Sequence, residues 1–434
     1  MNVKTSDLKG LPSRALRSYR EETGQSLLLW AFIAAMSFLT QIMLRRGLLP
    51  GEFGTVNTAL GVIGLATVPL AAVDLAFVWH LSRKQGPERK EKLEALRAAG
   101  PLITEMFAWA WCVVAALSLI IVLPMLLMPR FSLQLFTMLN VLIALGGVLS
   151  GVMCRYGGRL RLWAWLLVSA AAARVILSVW LTTEEPWAES GLATFLIAGL
   201  ITFAPALKPT EADETQRMKA LRAVMDRAFL VDLGAVFSVL LAIFLFSSAD
   251  RIVAQSWFGA PVNNNIGYVD WPMFDAYQTA GLLGRSILWG TQPLLLLMFI
   301  RRSQLEKTTA ASLDWFWIYL GALITGVTLL EVFKQPLSEL FCGKNFASTA
   351  HLVPVFAATM IPLGLLQGLG TFALASRRYQ ECFVLGGCGI GYLLLLYLVG
   401  RQPALMPTYM FGGGLVALMI VLFVGVVRWG RKQP

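Results

Sequence analysis

Ser37, Gln41 and Arg45 stand four residues apart in an otherwise apolar run. A helix would line them along one face, and a polar stripe on an apolar helix turns inward rather than toward lipid. Gln278, Arg285 and Gln292 are spaced by seven, so they too share a face, with Trp271 and Asp275 on its flank. Arg46 follows Arg45, and Arg251 follows Asp250 at the end of a later apolar run. A guanidinium stays charged and grips a phosphate through two N–H groups, so this pattern suits the handling of an anion.

Each cation has a second reading. Arg45 and Arg46 can simply cap the outer end of a span and reach for headgroups. Arg285 can belong to a buried pair with Asp275 or Asp74, and Arg174, in mid-span, to a pair with Glu105. Arg251 is either neutralised by Asp250 or reaches a cavity rim; the expectation is that Arg45 faces the substrate path and that Arg46 and Arg251 line its outer rim. Asp74 and Asp232 lie near span ends on the inner side. They are candidates for coupling to an ion gradient, or they pair with Arg83 and Arg227.

Bond-making chemistry has no visible site. His80 and His351 are far apart in sequence and have no nearby cysteine, so no metal site and no catalytic base is expected. Cys112, Cys154, Cys342, Cys382 and Cys388 have no metal spacing and read as small core residues. There is no P-loop, and the stretches GGCGIG and FGGGL lie in apolar runs where they cannot cradle phosphate in water. No cofactor is implied.

These side chains need elements to hold them. The 434 residues are 57% hydrophobic and 14% charged, with a mean hydropathy of +0.67. A soluble domain this apolar would aggregate, so the chain reads as an all-α, multi-pass membrane protein. Twelve runs are long enough to span: 26–44, 54–81, 102–128, 131–151, 162–181, 190–207, 229–249, 266–300, 314–333, 347–376, 382–399 and 404–427. Gly281, Gly284, Gly290 and Pro293 predict a bend in the eighth. With both termini in the cytoplasm, 27 of the 36 Lys and Arg fall in inner segments and 7 in outer connections. That bias fixes the orientation, and it attributes the net charge of +11 to cytoplasmic loops rather than to nucleic acid. The organisation expected is a cytoplasmic segment 1–25, a six-helix half 26–207, a linker 208–228, a second six-helix half 229–427 and a tail 428–434. The leader 1–25 is basic with scattered apolar residues; it either lies on the inner membrane surface or is a free tail.

RGLLPGEFG (residues 46–54) and RIVAQSWFG (residues 251–259) have equal length and equal ends, and each follows the first span of its half. Halves related by an axis along the membrane normal are a recurring transporter plan with a central path between them. The stretch LRRGLLPGEFGTVNTALGVIGLATVPLAAVDLAFVWHLSR resembles the opening of polysaccharide-biosynthesis flippases of the multidrug/oligosaccharidyl-lipid/polysaccharide (MOP) superfamily. Asp250, Gly267-Tyr268 and Pro293 stand where that pattern places them, and LSELFCGKNFASTAHLVPVFAATMIPLGLLQGLGTFALASRR is similar to the ninth-to-tenth helix region. Phe299-Ile300-Arg301 departs from the Phe-Pro that often ends the eighth span, which bears on the subfamily. The resemblance implies a flippase for a lipid-linked oligosaccharide in the bacterial inner membrane, working beside glycosyltransferases or a polymerase. Arg45, Arg46, Arg251 and Arg285 would then meet the phosphate, Trp271, Tyr277 and Gln278 the sugar, and Gln41 would line the substrate path beside Arg45. A drug or cation exporter of the same superfamily, whose site would be acid-rich (Asp74, Asp270, Asp275), and a non-transporting component of envelope assembly are the alternatives.

Overall fold

The computed structural model describes residues 13–82, 104–118, 120, 130–156, 159–203, 227–259, 271–304, 309–345, 347–399, 402 and 405–430. Among these residues all regular structure is helical. A backbone in hydrocarbon must satisfy its own N–H and C=O groups, and helices do so within one segment.

In chain order the helices are α1 (Ser13–Gly47), α2 (Glu52–Ser82), α3 (Thr104–Ser118), α4 (Phe131–Tyr156), α5 (Leu160–Glu184) and α6 (Ala188–Phe203). After the linker come α7 (Arg227–Ala254), α8 (Trp271–Gln304), α9 (Thr309–Val332), α10 (Lys334–Cys342), α11 (Ala347–Ala375), α12 (Tyr379–Val399) and α13 (Met406–Gly430). Seven of the described helices are long and apolar enough to cross a membrane, and eight if α9 and α10 count as one broken span.

Two elements differ from the sequence expectation. First, α1 begins at Ser13 rather than at 26, because nothing in SRALRSYREETGQ before Gly24 interrupts a helix and most of it favours one. Second, the connection after the ninth span contains α10, which turns away from α9 by 69°. Pro336 accounts for the break. In a continuous helix it would face the carbonyl of Val332 with no N–H to donate and its ring in the way. The helix α8 runs from Trp271 to Gln304, through Gly281, Gly284, Gly290 and Pro293. Gly267, Tyr268 and Asp270, the loops 83–100 and 208–226, and Arg83 lie outside the described residues.

Helices α1 to α6 pack on one another, chiefly α1 on α5, α4 on α6 and α5 on α6. Helices α7 to α13 do the same, led by α11 on α8 and α12 on α7. The α7–α12 pair runs parallel at close range: a Cβ on Gly386 would meet Ser238 at 2.9 Å and one on Gly389 would meet the Ala242 backbone at 2.8 Å. The two groups meet along α1 and α2 on one side and α7, α8 and α10 on the other. Every contact across this seam described below lies toward the end of the bundle that carries the 48–51 connection.

Candidate functional site

Asp275, in the first turns of α8, is fully buried at this seam. Its carboxylate accepts hydrogen bonds from the backbone N–H of Gly51 at 2.8 Å and of Gly54 at 3.1 Å, and Arg45 Nη1 lies 3.5 Å away. The local sequence builds the acceptor's cradle. Leu49 O accepts from Glu52 N at 3.1 Å across Pro50-Gly51, and Gly51 has φ of 86°. This is the pattern of a type II turn, which wants Pro second and Gly third. The turn ends α1, starts α2 and aims the free N–H groups of the α2 N-terminus at Asp275, where a carboxylate is favoured. Gly54 is held to glycine by the same approach, since a Cβ there would sit 2.1 Å from the Phe274 ring. Arg45 also lies over the Phe53 ring, 5.8 Å from its centroid.

The seam continues along α2. The Thr58 hydroxyl reaches the Arg251 carbonyl at 3.2 Å and Gln255 Oε1 at 3.4 Å, and Gly61 and Gly64 face Ile252 and Phe244. On the α1 side, Arg46 Nε donates to the Leu340 carbonyl of α10 at 2.8 Å, and Phe38 meets Phe341 edge-on with ring centroids 5.1 Å apart.

A second cluster lies inside the C-terminal group of helices. Arg285 and Asp250 are both fully buried and form an ion pair at 2.8 Å. Tyr277 donates to the same carboxylate oxygen at 3.2 Å and also contacts Met410 Sδ at 3.8 Å. Arg251, 7% exposed, donates to Ser248 at 2.6 Å and feels the charges of both Arg285 and Asp250. One guanidinium, Arg285, thus pairs with the carboxylate, and a second, Arg251, is buried on the next residue of α7 and bonded to Ser248. Among the described residues, Arg285 Nε and Nη2, Arg251 Nε, Asp250 Oδ1, the Tyr392 hydroxyl and both amide atoms of the fully buried Gln278 have no hydrogen-bond partner. Buried donors without acceptors are costly.

The expected residues therefore divide. Arg45 joins Asp275 at the seam, with Gln41, half-buried, one turn earlier and its Oε1 unpartnered. Arg285 and Tyr277 meet at Asp250, Arg251 is buried on the next residue of α7, and Gln278 is buried on α8 seven residues before Arg285. Arg285 takes Asp250 of α7 as its partner, not Asp275 or Asp74; Asp275 is instead held by Gly51, Gly54 and Arg45. Gln292 is exposed although Gln278 and Arg285 are buried, so the seven-residue face is not uniform. The side chain of Trp271 is outside the described residues. Arg174 lies over the Phe195 ring at 5.4 Å instead of pairing with Glu105. Asp232 is buried and accepts from the Tyr379 hydroxyl at 2.6 Å, while Asp74 is half-buried on α2.

The two nine-residue repeats also part company. Arg46 is exposed and its repeat breaks at Gly47 and Pro50-Gly51, whereas Arg251 is buried and its repeat continues as helix into a π turn, Gln255–Gly259. Arg251 therefore does not line an outer rim with Arg46. The helix runs on because IVAQSW contains no glycine or proline.

No family model and no curated protein sequence matches this chain. Its fold does match solved structures of MOP superfamily transporters. An inward-facing multidrug-resistance MATE transporter aligns over 93% of this chain and 96% of its own, at 12% identity and a TM-score of 0.59. The lipid II flippase MurJ, in an inward closed conformation, aligns over 92% and 86%, at 14% identity and 0.60. A MOP superfamily transporter from Pyrococcus furiosus, described by a reversed polarity of its binding pocket, aligns over 92% and 93%, at 12% identity and 0.60. The chain thus has the multi-pass helical fold of MOP transporters, and these neighbours are transporters rather than enzymes.

Proposed function

We propose that this protein is a transporter that moves an anionic lipid-linked saccharide from the inner to the outer leaflet by alternating access. The observation that carries this reading is the two buried guanidiniums, Arg285 paired with Asp250 and Arg251 beside it in sequence, with three of their nitrogen atoms without a partner among the described residues. A phosphate or pyrophosphate loses its hydration on entering a membrane and needs fixed N–H donors in exchange. Arg285 and Arg251 can supply them once the cluster opens, Gln278 and Tyr277 stand beside them for the sugar, and Arg45, Gln41 and Arg46 stand at the seam. A cation substrate fits less well, because Asp250 and Asp275 are each already matched by an arginine.

The two groups of helices, 26–207 and 229–427, act as the moving halves. By the charge count the 48–51 connection is on the outer side, so the joined seam corresponds to a state closed to the outside, with both termini in the cytoplasm of a bacterial cell. Asp232, with Tyr379 on its carboxylate, and Asp74 are the acids offered for ion coupling. The enzymes that build the saccharide are its expected neighbours in the membrane.

The test is a flipping assay in proteoliposomes. A fluorescent polyprenyl-pyrophosphate saccharide placed in both leaflets should become fully accessible to an external quencher, while a fluorescent phosphatidylcholine in the same vesicles does not. Equal accessibility of the two, matching protein-free vesicles, would overturn the reading.

A further inference from the structure

Beside the seam, α8, α9 and α10 enclose a groove of about 820 Å³. That is the size of a small-molecule site. Its walls are apolar, and the few hydroxyls among them are already spent. Ser286 donates to Leu283 O at 2.6 Å, Thr291 to Ile287 O at 2.9 Å and Thr325 to Gly321 O at 2.8 Å, each within its own helix. A sugar or peptide entering the groove would lose hydrogen bonds to water and find few in return, since only the acceptor lone pairs of these hydroxyls remain. A hydrocarbon chain would lose nothing.

Gly290 points the same way. Glycine in a helix interior costs about 1 kcal/mol relative to alanine and usually marks a close approach. At Gly290 nothing lies within 4 Å of an added Cβ. No helix presses on it; its missing side chain leaves space in the groove.

One charge stands at the rim. Arg46, in the last turn of α1, donates through Nε to the carbonyl of Leu340 at 2.8 Å and through Nη2 to that of Glu339 at 3.4 Å. Leu340 is itself a wall of the groove. Among the described residues no carboxylate lies within ion-pair distance of Arg46, and its side chain is exposed. The cation is therefore anchored on the groove wall by neutral carbonyls, at the end of a span, where lipid phosphates lie.

We infer that this groove binds one hydrocarbon chain of an anionic phospholipid from the surrounding bilayer, with the lipid phosphate on Arg46. This does not depend on what the protein transports. The lipid would bridge α1 and the α8–α10 wall, adding to the contacts that Arg46 and Phe38 already make there.

The experiment uses the full-length protein in detergent, titrated with phosphatidylglycerol or phosphatidylcholine of identical chains and read by native mass spectrometry. Wild type should retain phosphatidylglycerol at least tenfold more tightly. Arg46→Gln should bring the two lipids to within about twofold. Gly290→Leu should weaken both, because the new side chain fills the groove without meeting protein. Thr325→Phe, from the opposite wall, serves the same purpose if Gly290→Leu does not fold, and each variant is compared at an unchanged melting temperature. Equal retention of the two lipids by wild type, or unaltered binding in a folded groove-filling variant, overturns the inference.

Discussion

Arg285 donates to Asp250 at 2.8 Å with neither side chain exposed to solvent. Removing one member of such a pair leaves an uncompensated charge, which costs about 3–5 kcal/mol, whereas replacing both by apolar groups is often neutral. Arg285→Met and Asp250→Leu should each lower the melting temperature in detergent sharply, and the double variant should recover most of the loss. Flipping should stay absent in the double variant. Recovery of stability together with flipping would make the pair purely structural and would remove Arg285 from the transport path.

Asp275 and the α2 N-terminus form the main polar join between the halves. Asp275→Asn keeps one acceptor oxygen but loses the charge that favours Gly51 N, Gly54 N and Arg45. Hydrogen bonds to charged groups contribute about 1.5–3 kcal/mol each. A loss of about 2 kcal/mol changes a two-state ratio about 30-fold. Spin labels at the exposed positions Leu49 and Glu339, one on each half, should therefore show a longer distance population in Asp275→Asn. Identical distance distributions in the two proteins would mean that this contact does not hold the seam.

How far the sequence shows these features depends on the range of the interaction. The spans were legible because bilayer thickness imposes a local length and apolarity. The polar stripe through Gln41 and Arg45 and the spacing of Gln278 from Arg285 were legible because a helix has a fixed period. Partners were not. Arg285 meets Asp250, 35 residues away in sequence, and Asp275 meets Gly51 and Gly54, more than 220 away. Only the packing of α7 and α2 against α8 makes those choices. The repeat misled for a related reason: equal ends at Arg46 and Arg251 concealed the Pro50-Gly51 turn, which only the first copy has. The helix α10 was missed because its nine residues are too short and too polar for a span, although Pro336 signalled the break.

That difference between the repeats can be measured. Arg251 is buried and bonded to Ser248, while Arg46 is exposed and bonded only to carbonyls. Arg251→Ala leaves a hole and strands Ser248, a change of the kind that costs about 2–5 kcal/mol in a core. Arg46→Ala should cost about 1 kcal/mol or less. Thermal unfolding of the two variants in the same detergent should separate them by several degrees. Matching losses would restore the equivalence that the repeat suggests.

Gly281 gives the sharpest probe of the buried cluster, because it changes one methyl group. The Arg285 guanidinium folds back along α8 over Gly281: an added Cβ would lie 2.9 Å from Nη2 and 3.1 Å from Nη1. The Phe356 ring of α11, also 3.1 Å away, closes the other side, and its contact with Tyr277 leaves it little room to retreat. Alanine is a better helix former than glycine, so propensity alone predicts a gain. Overpacking predicts a loss of about 1–3 kcal/mol, and here the group pushed aside is the one that holds Asp250. Gly281→Ala should therefore lower the melting temperature and abolish flipping, whereas Gly290→Ala, in open space on the same helix, should do neither. A Gly281→Ala protein with full stability and full transport would show that the guanidinium can move at no cost, and that its place over Gly281 matters to neither.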